Sequence, residues 1–123
     1  MNNIKLYLYA AALLLSGCAT TYTQYYWGDY ESLIYQTYHS PNDVPPSVQI
    51  DKLNIDIEKA QTAGKPVPPG LYAHLGLMYA ADGNKELAIA ALTKEKELFP
   101  DSGKFIDGLI QRSSTYSQGI ASE

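Results

Sequence analysis

Cysteine occurs once in this chain of 123 residues, arginine once and histidine twice. One cysteine excludes an internal disulfide and a cysteine-rich zinc site. A single arginine, Arg112, beside 9 basic and 13 acidic side chains leaves a formal net charge of -4, and no arginine-bearing basic face for nucleic acid. The two histidines, His39 and His74, stand far apart, which limits histidine-based chemistry. There is no phosphate-cradling glycine loop, no Gly-x-Ser-x-Gly elbow and no Cys-His pair. The expectation is a non-enzymatic protein without cofactor or metal. What is present is ordinary for a single globular domain, with 46% hydrophobic and 18% charged residues.

Lys5 is the only charge in residues 1–17, and it precedes the apolar run Leu6–Leu15. Ten apolar residues are too few for a bilayer-spanning helix, which takes ~20. They match the apolar region of a signal peptide. Leu15-Ser16-Gly17-Cys18 follows and resembles the bacterial lipobox. The resemblance implies a diacylglyceryl thioether on Cys18, cleavage before it, and acylation of the new amino group. Ala19, in place of an aspartate, implies an outer-membrane address facing the periplasm in a host with two membranes. Loss of Lys5 leaves 8 basic against 13 acidic side chains, or -5, so the attachment is the lipid and not the charge of the body.

Residues 18–28 read as a lipidated tether. Residues 22–38 hold seven aromatics, in a chain that is 11% aromatic overall. Core packing, a protein-binding patch and a belt at the lipid headgroups are the three readings of this density. Tyr26, Tyr30, Leu33 and Ile34 fall at helical spacing and predict a helix over 29–38. The loop 39–47 contains Pro41, Pro45 and Pro46. Ser47 is the expected cap of a second helix over 48–63, with Ile50, Leu53, Ile57 and Ala60 on one face. Gly64–Gly70 is a second loop, and His74 is expected to hydrogen-bond to it.

Leu71, Tyr72, Leu75, Met78 and Tyr79 make the apolar face of a third helix, which ends at Asp82-Gly83-Asn84. That turn does not fit a calcium loop, because the ligand positions would fall on Met78, Ala80 and Ile89. Leu87, Ala88, Ala91, Leu92 and Leu98 make the fourth helix. Glu95 and Glu97 read as its solvated surface, and Asp56 and Glu58 as carboxylates on different faces of the second helix. Asp101 or Ser102 is the expected cap of a last helix with Phe105, Ile106, Leu109 and Ile110. Residues 113–123 read as a flexible tail. The expected body, 29–112, is all-α, with about five short helices.

Residues 69–102 resemble a tetratricopeptide unit in length and pattern. Tyr72, Leu75-Gly76, Tyr79, Ala88 and Pro100 take its key positions. Gly76 and Ala88 are the small residues that let two helices approach. The resemblance implies a groove faced by Ala73, Leu77, Ala80 and Ala81. With no lysine or arginine there, a packed helix or apolar segment is the expected ligand. Tyr25, Tyr26 and Trp27 are candidate anchors for the same partner. One such unit cannot bury its own faces, so 29–63 would serve as a degenerate first unit and the last helix as a cap.

Tyr26-Trp27-Gly28, Val67-Pro68-Pro69-Gly70, Ala73-His74-Leu75-Gly76 and the run Glu95–Ser102 resemble a family of small bacterial lipoproteins of unknown function. Members are often encoded beside a lipoprotein resembling the curli-secretion pore subunit. The resemblance implies an envelope partner, and a role as an interaction module or as a chaperone-like accessory to that pore.

Overall fold

The computed structural model describes Asn3 and residues 23–120, the side chains through Arg112. Apart from Asn3, the expected signal peptide, Cys18 and residues 19–22 lie outside the described residues. Five α-helices and no strand are present among the described residues: α1 (Tyr30–His39), α2 (Pro46–Thr62), α3 (Leu71–Ala81), α4 (Lys85–Leu98) and α5 (Gly103–Ile120). A 3-10 turn, Pro100–Ser102, joins the last two. None of these helices is long and apolar enough to cross a membrane.

Each helix packs chiefly on its neighbour in sequence, most heavily within the α3–α4 hairpin. Sterics explain that intimacy. A Cβ on Gly76 would sit 2.8 Å from Leu92 Cγ and 3.0 Å from the Ala88 carbonyl, so the hairpin closes to a distance only glycine permits. Ala88 is fully buried on the opposite side of the seam. The turn between the helices is fixed by Gly83 at φ +83° and by Asn84, whose Oδ1 accepts the Leu87 N–H at 3.1 Å.

One core joins α1, α2, α3 and α4 through Leu33, Ile50, Leu53, Leu71, Leu75 and Ala91. Tyr72 and Tyr79 are half-buried beside it, and Asn54 Nδ2 donates to the Tyr79 hydroxyl at 3.2 Å. A second cluster, Ala73, Leu92 and Ile106, seats α5 on the hairpin. The apolar faces expected of α2 and α3 are therefore those buried.

Several local expectations change. α2 begins at Pro46, whose fixed φ suits the first helical turn and whose missing N–H costs nothing there, so Ser47 lies inside the helix and caps nothing. The Ser102 hydroxyl donates to the Phe99 carbonyl and does not cap α5. The α5 backbone stays helical to Ile120, past the tail expected from 113. Leu98 and Phe105, which the spacing assigns to the last two helices, are 44% and 60% exposed.

Candidate docking surface

The chain enters the fold along the α2–α3 loop. The Tyr26 N–H donates to the Pro66 carbonyl at 2.9 Å, and Lys65 Nζ reaches the Thr23 carbonyl at 3.5 Å. Gly28 then turns at φ +48° into α1. Asp56, on the buried stripe of α2, meets that turn. Its carboxylate accepts the Asp29 N–H at 2.7 Å and lies where a Cβ on Gly28 would have to be. Burial pushes the Asp56 carboxyl above its ordinary value, against the pull of the backbone N–H groups.

Glu95 is the second buried carboxylate, 2% exposed. Its two oxygens accept the Gly70 N–H at 2.6 Å and the Ala73 N–H at 3.3 Å. They satisfy two of the orphan donors that begin α3, where the helix dipole also favours a negative charge. Glu95 is therefore a tertiary cap, not the solvated surface expected. Gly70 stands at φ +91°, and the Tyr30 hydroxyl covers it at 2.6 Å from where a Cβ would lie. Burial, followed by the nearby Glu95 charge, pushes the Tyr30 phenol up to about 12.

His74 lies on the buried side of α3, and its Nε2 is 2.9 Å from Gln49 Oε1 on α2. The Gln49 amide nitrogen donates to the Val44 carbonyl, which turns Oε1 towards His74 and assigns the proton to Nε2. His74 thus bonds α2, not the proline loop. Burial holds its pKa below the ordinary range. Thr37 of α1 also donates to Gln49 Oε1, at 3.1 Å, so this polar chain ties three helices together.

These polar groups are spent on structure, and the surfaces they position are apolar. An open hollow of about 630 Å³ lies between the start of α3 and the α4–α5 junction, walled by Pro69, Ala73, Leu98, Phe99 and Phe105. A smaller one of about 270 Å³, with Val67, Tyr72, Lys65 and Lys94, shares Leu98 and Phe99 with it. Tyr25 meets Phe99 edge-on at 6.5 Å and Trp27 at 6.3 Å, and Trp27 stacks on Tyr30. Tyr26 packs on the core. Tyr35 and Tyr38 are exposed on α1.

Of the expected groove residues, Ala73 is covered by Leu92 and Ile106, whereas Leu77, Ala80 and Ala81 remain exposed towards the end of α3. The structure does not gather all the candidate binding residues in one place. Tyr25 and Trp27 occupy the end of the bundle where α3 starts, and Leu77, Ala80 and Ala81 lie towards the opposite end. Among the described residues, no three histidine, cysteine or acidic side chains converge to hold a metal.

The four sequence segments 26–28, 67–70, 73–76 and 95–102 meet in this arrangement through Tyr30, Gly70, Glu95, Leu92 and Phe99. A family model described as a domain of unknown function (DUF4810) matches residues 24–109, which include all four. The chain belongs to the DUF4810 family. The match runs from the first described aromatics through α4 and into α5. No curated protein and no solved structure matches the chain.

Asp56 and Glu95 are buried structural carboxylates that sequence reasoning missed, and each had a signal. Asp56 falls three residues after Leu53 and four before Ala60, and Glu95 three after Leu92, so both sit on an apolar helical stripe. A carboxylate on such a stripe needs a buried donor.

Proposed function

We propose that this chain is a lipid-anchored interaction module of the bacterial envelope. Cys18 carries the anchor, and the helical body docks another envelope protein. The outer membrane, on its periplasmic face, is the location that Ala19 favours. A curli-secretion-like lipoprotein is the partner implied by the family resemblance, and the body would act as its docking platform or accessory.

The observation that carries the docking role is the exposed strip on α3. Six residues of this helix are buried, yet Leu77 is 42% exposed, with Ala80 and Ala81 beside it. A central helix with an uncovered apolar strip has room for one more packed element. The small alanines would let a partner helix approach closely.

The test replaces Leu77 by glutamate in cells and follows crosslinked partners. Because Leu77 is exposed, the glutamate is solvated and the fold is kept, which circular dichroism verifies. Loss of one discrete crosslinked species supports the strip as the docking site, and an unchanged crosslinking pattern rejects it. Cys18→Ser tests the anchor separately. The variant should be an uncleaved or soluble precursor, because serine offers no thiolate for the lipid, and a cleaved species in the detergent-soluble membrane fraction would reject the anchor.

A further inference from the structure

We infer that the end of the bundle bearing Tyr25, Trp27, Leu98, Phe99 and Phe105 rests on the lipid surface, in the headgroup region of the bilayer. The inference rests on the anchor at Cys18 and adds an orientation to it.

Connectivity comes first. Thr23 lies five residues after Cys18, and five residues span at most about 18 Å fully extended. The contacts Tyr26 to Pro66 and Lys65 to Thr23 fix this arriving segment to one end of the bundle. A lipid at Cys18 therefore holds that end, and not the α3–α4 turn, close to the membrane.

The same end carries exposed apolar side chains from α4, from α5 and from the arriving segment. Phe105 is 60% exposed, Leu98 44% and Trp27 36%. Ring contacts from Trp27 to Tyr25 and from Tyr25 to Phe99 make the aromatic part continuous, and Phe99, Leu98 and Phe105 line the larger hollow. Tryptophan and tyrosine favour the membrane–water boundary, where an amphipathic ring meets both phases.

Charge decides how this contact is made. Lys94 pairs with Glu97 at 3.3 Å and Lys96 with Asp107 at 2.7 Å, while Asp101 and Lys104 are exposed nearby. The local charges nearly balance, so the contact is apolar and does not require anionic lipid.

Trp27 is the only tryptophan in the chain, so its fluorescence reads this face alone. The experiment reconstitutes the full lipidated protein in zwitterionic phosphatidylcholine vesicles, with or without brominated acyl chains. The expected results are a blue-shifted emission, marked quenching by the brominated lipid and reduced access to aqueous acrylamide. The double variant Leu98→Ser, Phe105→Ser should lose most of that quenching while still floating with the vesicles. Both positions are exposed, so the helical content is kept.

Equal emission in brominated and plain vesicles from floating protein overturns the orientation and leaves the anchor standing. Emission screened from both brominated lipid and acrylamide overturns it in favour of a protein covering the face. Protein that fails to float overturns the anchor, and the orientation with it.

Discussion

Glu95 near the end of α4 accepts the Gly70 N–H at 2.6 Å and so locks the open end of the α3–α4 hairpin. Glu95→Ala should strand two helix-start donors and cost on the order of 1–3 kcal/mol in thermal or urea unfolding. Glu95→Gln keeps one acceptor and should cost less. Equal stability of all three proteins would remove the capping role.

Gly28 and Asp56 form the corresponding lock for α1. Gly28→Ala brings both a strained φ of +48° and a collision with the Asp56 carboxylate. Its expected cost is about 1–3 kcal/mol. Asp56→Ala should also destabilise, through the unsatisfied Asp29 N–H. Combined, the two should cost clearly less than their sum, because they disrupt the same contact. Strict additivity in a double-mutant cycle would show that the contact carries no energy.

The hairpin seam is tested at Gly76 and Ala88. Gly76→Leu and Ala88→Leu should each lose on the order of 1–3 kcal/mol by overpacking, or more if the backbones cannot separate. Thermal melts of the full chain measure it. Wild-type melting temperatures in both variants would contradict the close approach at Leu92 and the Ala88 carbonyl.

Two buried groups give opposite pH limits. Tyr30, raised to about 12 from 10.0, holds its proton more tightly when folded, so its stabilisation is present below pH 10 and lost as pH climbs towards 12. His74 is held below 6.5 by burial, so its stabilisation is present above that value and lost as pH falls through the lowered one. The stability gap between wild type and Tyr30→Phe should narrow on the alkaline side. The gap to His74→Leu should narrow on the acid side. Gaps that stay constant across these windows would place both groups in solvent-like surroundings.

The helical faces of α2 and α3 were legible because Ile50, Leu53, Leu71 and Leu75 repeat at the helical period and nothing competes with burial there. Leu98 and Phe105 share that period and are exposed nonetheless. Periodicity marks a face but not whether another element arrives to cover it, and at the α4–α5 junction none among the described residues does. The two carboxylate locks were half legible: their apolar stripes signal burial of Asp56 and Glu95, but not the donors they meet. The donors of Gly70 and Asp29 are backbone groups, each more than twenty positions from its acceptor. No side-chain pattern announces a backbone donor. The division of the candidate binding residues between two ends of the bundle was not legible either, because it depends on how the segment before α1 folds back.

The Tyr26–Pro66 clip also sets how the molecule bears a load. A pull on a membrane-held Cys18 would reach Thr23 and pass through Tyr26 and Lys65 into the α2–α3 loop. From there Gly70 and Glu95 would carry it to α4. α1 hangs to the side of this route, so tension between membrane and partner would be borne by the α3–α4 hairpin and leave the first helix slack.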